Sequence, residues 1–208
     1  MVLSTLGGSV LLMKGDQGPT PELLGESADF GWGGIALAVA DLDDDGTPES
    51  VHGVRQSNHR FANEQQAASI QVLHATATGD VEVVSHGGAP FYPAAENDPQ
   101  FPCVGIAGVA VAEVFSGPEF EGKELVVATL DGYLLVYKID VVGSPGSPTF
   151  DLTLVSSIAS IGALGAHCSI HVGDYVTNRQ LSGMPDGKVE IYVAGSMGMR
   201  RFDLEVAP

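Results

Sequence analysis

The chain has 208 residues, 44% of them hydrophobic, and this apolar content is too high for an intrinsically disordered protein. Its 26 Asp and Glu against nine Lys and Arg give a net charge of −17, which repels phosphate backbones and anionic lipid headgroups. The longest uncharged apolar stretch, residues 103–112, is about half the ~20 residues that a membrane-spanning helix needs. We therefore expect neither a nucleic acid partner nor membrane insertion.

The first predicted element is a β-hairpin over residues 1–14, in which two β-rich runs flank Gly7-Gly8. A glycine pair between apolar runs suits the tight turn of a hairpin. Another strand is predicted over residues 21–25. The segment before residue 30 therefore reads as three consecutive strands.

A short apolar run, residues 35–40, leads directly into an acidic loop at residues 41–49. Alternating carboxylates, a glycine and a closing carboxylate make up its pattern, in the residues Asp41, Asp43, Asp45, Gly46 and Glu49. This spacing places hard oxygens on one side of a tight turn, which Gly46 permits because glycine tolerates positive φ. Ca²⁺ binds about six to eight such oxygens. The loop therefore predicts one Ca²⁺, held by the four carboxylates and the backbone carbonyl of Thr47.

The Phe30-Gly31 pair, the strand after it, the acidic loop and a second strand over residues 50–54 together resemble the FG-GAP repeat. FG-GAP or VCBS-type repeats build integrin-α-like β-propellers, in which a D-x-D-x-D-G-x-x-D loop joins two strands of a blade. Glu49 stands where that family usually has aspartate, and its longer side chain still reaches the ion. An EF-hand fits less well, because it needs flanking helices and a glutamate where this chain has His52. The resemblance implies a propeller fold and an extracytoplasmic, calcium-stabilised module.

A pair of acids like the two that end this loop recurs twice further along the chain. Each time, an acid that ends one strand is followed by a glutamate that opens the next: Asp41 and Glu49, Glu113 and Glu124, Asp174 and Glu190. Hairpins follow over residues 124–138, around Asp131-Gly132, and residues 190–202, around Met197-Gly198. Residues 49–54 and 69–74 pair across a longer loop. The middle aspartates are missing from the second and third copies, so we expect one ion per chain.

Outer strands over residues 81–85 and 149–156 complete an all-β pattern with one short helical candidate, residues 61–68. The predicted fold is a β-propeller-type arc of about four antiparallel blades, two complete and two partial at the termini. The single propeller region divides into residues 1–29, 30–100, 101–162 and 163–208. A β-sandwich also has regularly spaced short strands, but its loops need not be equivalent, so the phased acids favour a propeller.

The two partial blades are each expected to lack a strand, and unpaired edges beside apolar faces recruit other chains. We therefore expect a protein partner or a second copy of the chain to complete the propeller, unless the chain is a fragment of a larger propeller protein. Closure as a small four-bladed ring is the remaining alternative.

Two long connections, residues 55–68 and 86–102, are predicted at the end of the blades opposite the acidic loop. Long surface loops often carry binding, and these combine arginines, amides and aromatics that suit a protein or a glycan. The candidate ligand-binding residues are Arg55, Asn58, His59, Arg60, Phe61, Phe91, Tyr92, Asn97 and Asp98. The sequence contains no nucleophile-elbow, nucleotide-loop or zinc-protease motif. We expect a binding or assembly module, with a propeller-fold enzyme resembling polysaccharide lyases as the alternative.

Two further features bear on the compartment. Cys103 and Cys168 are the only cysteines, and one disulfide or two buried thiols fit them equally well. No positively charged leader with an apolar segment opens the chain. The family resemblance implies an extracellular or periplasmic protein, so any secretion signal is expected to have been removed or to lie on a larger precursor.

Overall fold

The computed structural model of the protein describes residues 2–4, 10–14, 22–26, 34–54, 70–76, 81–84, 106–115, 117–129, 132–144, 147–158, 168–174, 177–178, 184–185, 188–195 and 198–203. Within these ranges the regular secondary structure is β, apart from a single 3-10 turn at Pro118–Phe120. No helix in these ranges is long and apolar enough to cross a membrane.

The described strands are numbered in chain order. They are β1 (Val2–Ser4), β2 (Val10–Lys14), β3 (Glu22–Glu26), β4 (Gly34–Ala40), β5 (Glu49–Val54), β6 (Ile70–Ala75), β7 (Val81–Val83), β8 (Ile106–Ala112), β9 (Glu124–Thr129), β10 (Leu134–Ser144), β11 (Ser147–Ile158), β12 (Ser169–Gly173), β13 (Thr177–Asn178), β14 (Met184–Pro185), β15 (Glu190–Gly195) and β16 (Gly198–Asp203).

The sheets follow the chain as antiparallel meanders. Strands β4, β5, β6 and β7 form one four-stranded sheet in that order, called here the first complete blade. Strands β8, β9, β10 and β11 form the second complete blade in the same way. Strands β1–β3 form a three-stranded sheet, and so do β12, β15 and β16, with the small β13–β14 hairpin between β12 and β15 in the chain. The strands of each complete blade are called A to D in chain order.

The second complete blade is buried on both of its faces. Side chains alternate across a strand, so Leu125 and Val127 of β9 join the apolar core shared with the first complete blade. Val126 and Ala128 face the other way and pack with Ile191 and other residues of the β12–β15–β16 sheet. A sheet that buries both faces against neighbouring sheets is what radial blade packing requires.

Backbone contacts close the seams between neighbouring sheets. The Phe150 N–H donates to the Val84 carbonyl at 2.8 Å, and the Cys168 N–H donates to the Ala107 carbonyl at 3.1 Å. Gly108 allows the second contact, because a Cβ at that position would lie 2.6 Å from Cys168 Sγ. Cys168 is a free thiol. Cys168 is therefore in no disulfide in this structure, and Cys103 lies outside the described residues.

This architecture confirms the predicted all-β, propeller-type arc. The four predicted strand pairs are formed as β1–β2, β5–β6, β9–β10 and β15–β16. The predicted outer strands are β3, β7 and β11. The β13–β14 hairpin was not predicted, because strands of two residues leave no readable alternation. The helical candidate at residues 61–68 lies outside the described residues, and the blade boundaries remain predictions.

Candidate metal centre

The acidic loop connects strands A and B of the first complete blade, as predicted. Asp41 organises it: its Oδ1 accepts from the Asp45 N–H at 3.1 Å and its Oδ2 accepts from the Gly46 N–H at 2.9 Å. The backbone turns through positive φ at Asp44 (57°) and Gly46 (90°). Glycine adopts this region without steric cost, which explains its place at the sixth position.

Three of the predicted ligands converge in this loop. Asp41, Asp43 and Glu49 each offer a carboxylate oxygen, and these oxygens all lie within 4.8 Å of one another. Asp45 lies outside this group, and its Oδ1 accepts from the Thr47 N–H at 2.6 Å. Hard carboxylate oxygens at such spacing form a donor set that fits Ca²⁺, and a cation between them would offset their mutual repulsion.

Glu49 is the buried member of the group. Its side chain is fully buried, its Oε2 accepts from the Leu42 N–H at 2.8 Å, and its Oε1 lies 2.9 Å from His74 Nδ1. Burial raises the pKa of the Glu49 carboxyl, while the Leu42 N–H and His74 oppose that shift. Each carboxylate oxygen has two lone pairs, so these hydrogen bonds leave room for a bound cation.

The second complete blade repeats the Glu49 contact without the aspartates. Glu124 Oε2 accepts from the Val114 N–H at 2.8 Å and from the Phe115 N–H at 3.5 Å. Val114 directly follows Glu113, just as Leu42 directly follows Asp41. In both complete blades, the side chain of the first residue of strand B thus accepts a hydrogen bond from the backbone at the start of the A–B connection. Glu190, at the equivalent place in β15, is also buried, with its Oε1 3.6 Å from Arg201 Nη2.

This second role of the glutamate was missed by the sequence analysis, which treated Glu49 only as a metal ligand. The signal was present, because a glutamate opens strand B in all three copies although the aspartates do not recur. A glutamate that recurs at this position without the metal-binding aspartates indicates a structural contact.

A lysine from the next blade approaches the acidic loop. Lys123 Nζ lies 2.7 Å from Asp44 Oδ1, and this hydrogen bond raises the pKa of the Lys123 ammonium. The pair joins the A–B connections of the two complete blades. Asp44 is the one aspartate of the loop that was not predicted as a ligand, and it is largely exposed. No local pattern predicts this contact, because the two residues are 79 positions apart in the chain.

The predicted ligand-binding residues lie outside the described part of the chain. They are Arg55, Asn58, His59, Arg60, Phe61, Phe91, Tyr92, Asn97 and Asp98. The strands that flank their loops are described: β5 ends at Val54 and β7 ends at Val83. Both strands finish at the end of the blade opposite the acidic loop, because β4, β5, β6 and β7 alternate in direction. The common surface of the two loops remains a prediction.

Comparison with known proteins adds a likeness to solved structures. No family model and no curated protein match this chain. Among solved structures, the chain is similar to a chain in the crystal structure of BBS1N in complex with ARL6DN, a crystal soaked with lead. The TM-score is 0.47 and the sequence identity is 15%. The alignment covers 97% of this chain and 48% of that chain, so this chain spans about half its length. The fold assignment made above rests on the strand order and packing of the chain's own sheets.

Proposed function

We propose that this protein is a β-propeller-type binding module of the FG-GAP or VCBS kind, stabilised by one Ca²⁺ in the A–B loop of its first complete blade. The observation that supports the ion most directly is the convergence of Asp41, Asp43 and Glu49 oxygens within 4.8 Å of one another. Asp45 and the Thr47 carbonyl complete the proposed ligand set. An extracellular or periplasmic location, where Ca²⁺ is abundant, belongs to the same proposal.

The role proposed for the ion is structural. A shell filled by protein oxygens leaves no open position for a substrate, so the ion would not act as a catalyst. The ion would lie between strands A and B, in the loop that Lys123 of the next blade contacts through Asp44. At this position it would stabilise the A–B connections of both complete blades. Binding only to the folded state stabilises it by mass action.

Thermal unfolding with and without a chelator tests the ion. At a free Ca²⁺ concentration of about 100 times Kd, binding adds about 2.7 kcal/mol. For a chain of this size that corresponds to a rise of roughly 5–10 °C in melting temperature. Asp43→Asn should remove most of this rise. Glu121→Gln, which neutralises an exposed acid in the equivalent connection of the next blade, should retain it. Equal melting temperatures of the wild type in Ca²⁺ and in EDTA would contradict the proposal.

The recognition surface is proposed on the opposite end of the blades, in the loops at residues 55–68 and 86–102. Their aromatic, amide and arginine residues suit a protein partner or a glycan. Alanine at Arg60, Phe61 or Tyr92 should weaken binding of such a partner and leave the melting temperature nearly unchanged. Light scattering in Ca²⁺ and in EDTA would report whether a second copy of the chain is the partner.

A further inference from the structure

Strand β10 of the second complete blade extends well beyond its inner neighbour. Strand β9 pairs with residues 134–138 of β10 and begins at Glu124, opposite Lys138. Pairing between β10 and β11 continues to Ser144 and Ser147. Residues 139–144 therefore have a strand neighbour on one side, and no described residue pairs with them on the other. This open edge lies at the end of the sheet that carries the A–B connections.

The hydrogen-bonding direction of each residue on this edge follows from one contact. The Phe150 N–H donates to the Val84 carbonyl, so it points away from β10. Val141 is the register partner of Phe150. Opposed residues of an antiparallel pair either exchange both hydrogen bonds or point both groups outward. The Val141 N–H and C=O therefore point to the open side of β10, as do those of Gly143. Ile139 has the same orientation but is buried in the core, so the accessible part of the edge begins after it.

A proline supports this assignment independently. Pro148 is the register partner of Gly143 and has no N–H to donate. By the same alternation, its missing N–H falls on the outer side of β11, where the ladder with β10 needs no donor.

The open edge also carries exposed apolar side chains. Val141 is 48% exposed and Val142 is 47% exposed. Because neighbouring residues of a strand point to opposite faces, the two valines offer apolar contact on both faces of an added strand. Unpaired backbone groups beside exposed valines form a template for strand addition.

Charge indicates what kind of segment would pair there. The chain carries a net charge of −17, and the connection that enters β9 beside this edge bears the exposed acids Glu119 and Glu121. Both acids precede Glu124, the residue of β9 that lies opposite Lys138 where the open edge begins. A second copy of this chain would bring the same negative charge, whereas a basic segment would be attracted.

We propose that the open edge of β10, residues 140–143, binds an extended segment of a partner polypeptide in which basic and apolar side chains alternate. This surface is separate from the loop surface proposed above, and it does not depend on the Ca²⁺ site. Backbone hydrogen bonds to Val141 and its outward-pointing neighbours would supply the pairing. The valines and the nearby acids would select the side chains.

Fluorescence anisotropy with a labelled peptide of about nine alternating lysine and valine residues tests the proposal. The test variant is Val141→Pro, which removes an outward N–H and no hydrogen bond between β10 and β11. Its matched variant is Val142→Pro, which removes an inward N–H and should lower the melting temperature. Two control peptides are needed: one N-methylated at two adjacent central residues, which blocks both of its edges, and one with glutamate in place of lysine.

We expect saturable binding of the lysine–valine peptide, weakened about tenfold or more by Val141→Pro and by N-methylation, and no binding of the glutamate peptide. If the N-methylated peptide bound as tightly as the unmodified one, the proposal would be overturned, because binding would then depend on charge and not on backbone hydrogen bonds. Unchanged binding to Val141→Pro would overturn it as well. A melting temperature lowered as much by Val141→Pro as by Val142→Pro would refute the assigned hydrogen-bonding direction. A dimer of the chain that Val141→Pro abolishes would also overturn it, because a second copy and not a basic partner segment would then cover the edge.

Discussion

Glu124 offers the sharpest test of the contact shared by the two complete blades. Replacing it with Leu keeps the side-chain volume and removes the acceptor for the Val114 N–H, now at 2.8 Å. Val114 is buried, so its N–H would be left without a partner at a cost of about 1–3 kcal/mol. Burial raises the pKa of the Glu124 carboxyl, which shows that burying this group is unfavourable. Leu removes that unfavourable burial, so the net loss of unfolding free energy is smaller. We expect Glu124→Leu to lower the free energy of unfolding by about 1–2 kcal/mol.

Glu124→Gln separates the hydrogen bond from the charge. The amide oxygen can still accept from the Val114 N–H, so at neutral pH we expect a change within about 1 kcal/mol of wild type. Because the folded-state pKa of Glu124 lies above 4.5, the folded protein keeps this proton to higher pH than the unfolded chain. Wild type should therefore lose stability relative to Glu124→Gln as pH rises from about 4.5 through the folded-state pKa, with no further change above it.

Urea unfolding followed by circular dichroism measures both effects, with Glu121→Gln as an exposed control from the same connection. An unfolding free energy of Glu124→Leu within about 0.5 kcal/mol of wild type would refute the structural role of this contact. A difference between wild type and Glu124→Gln that stays constant with pH would refute the raised pKa.

Three further predictions concern buried residues. Burial lowers the pKa of His52 from 6.5 to about 4, so stability should fall as pH drops below about 6.5, by about 3 kcal/mol in total at pH 4, and His52→Gln should flatten this part of the pH profile. Gly53→Ala should cost about 1–3 kcal/mol, because its Cβ would lie 2.6 Å from Ile106 Cγ2; a double-mutant cycle with Ile106→Ala should show that the cost is not additive. Burial raises the pKa of Cys168 to about 11, so this thiol should react with a thiol reagent near pH 8 much more slowly in folded than in urea-unfolded protein; equal rates would contradict it.

The blade pattern could be predicted because it depends on local signals. Alternating side chains around Asp131-Gly132 predicted the β9–β10 hairpin, and the recurring acids at strand ends predicted that the A–B connections are equivalent. The convergence of Asp41, Asp43 and Glu49 also follows from local spacing, since a tight turn brings alternate residues of one loop together.

Other features depend on contacts that sequence spacing does not encode. The Lys123–Asp44 pair joins two blades, and its partners become neighbours only after the sheets have packed. The open edge of β10 could not be read either, because residues 139–144 show the same alternation whether or not a third strand pairs with them. The contact from the Leu42 N–H to Glu49 was missed because a carboxylate in an acidic loop suits metal binding and backbone capping equally well.

Binding of Ca²⁺ by the A–B loop of the first complete blade can be checked in the anomalous difference map of a crystal grown at millimolar Ca²⁺. We expect one peak in this loop, with oxygens of Asp41, Asp43, Asp45 and Glu49 and the Thr47 carbonyl at about 2.3–2.6 Å from it. A loop without a peak, in which Glu49 bonds only the Leu42 N–H and His74, would contradict the claim and leave this carboxylate with the same purely structural role as Glu124.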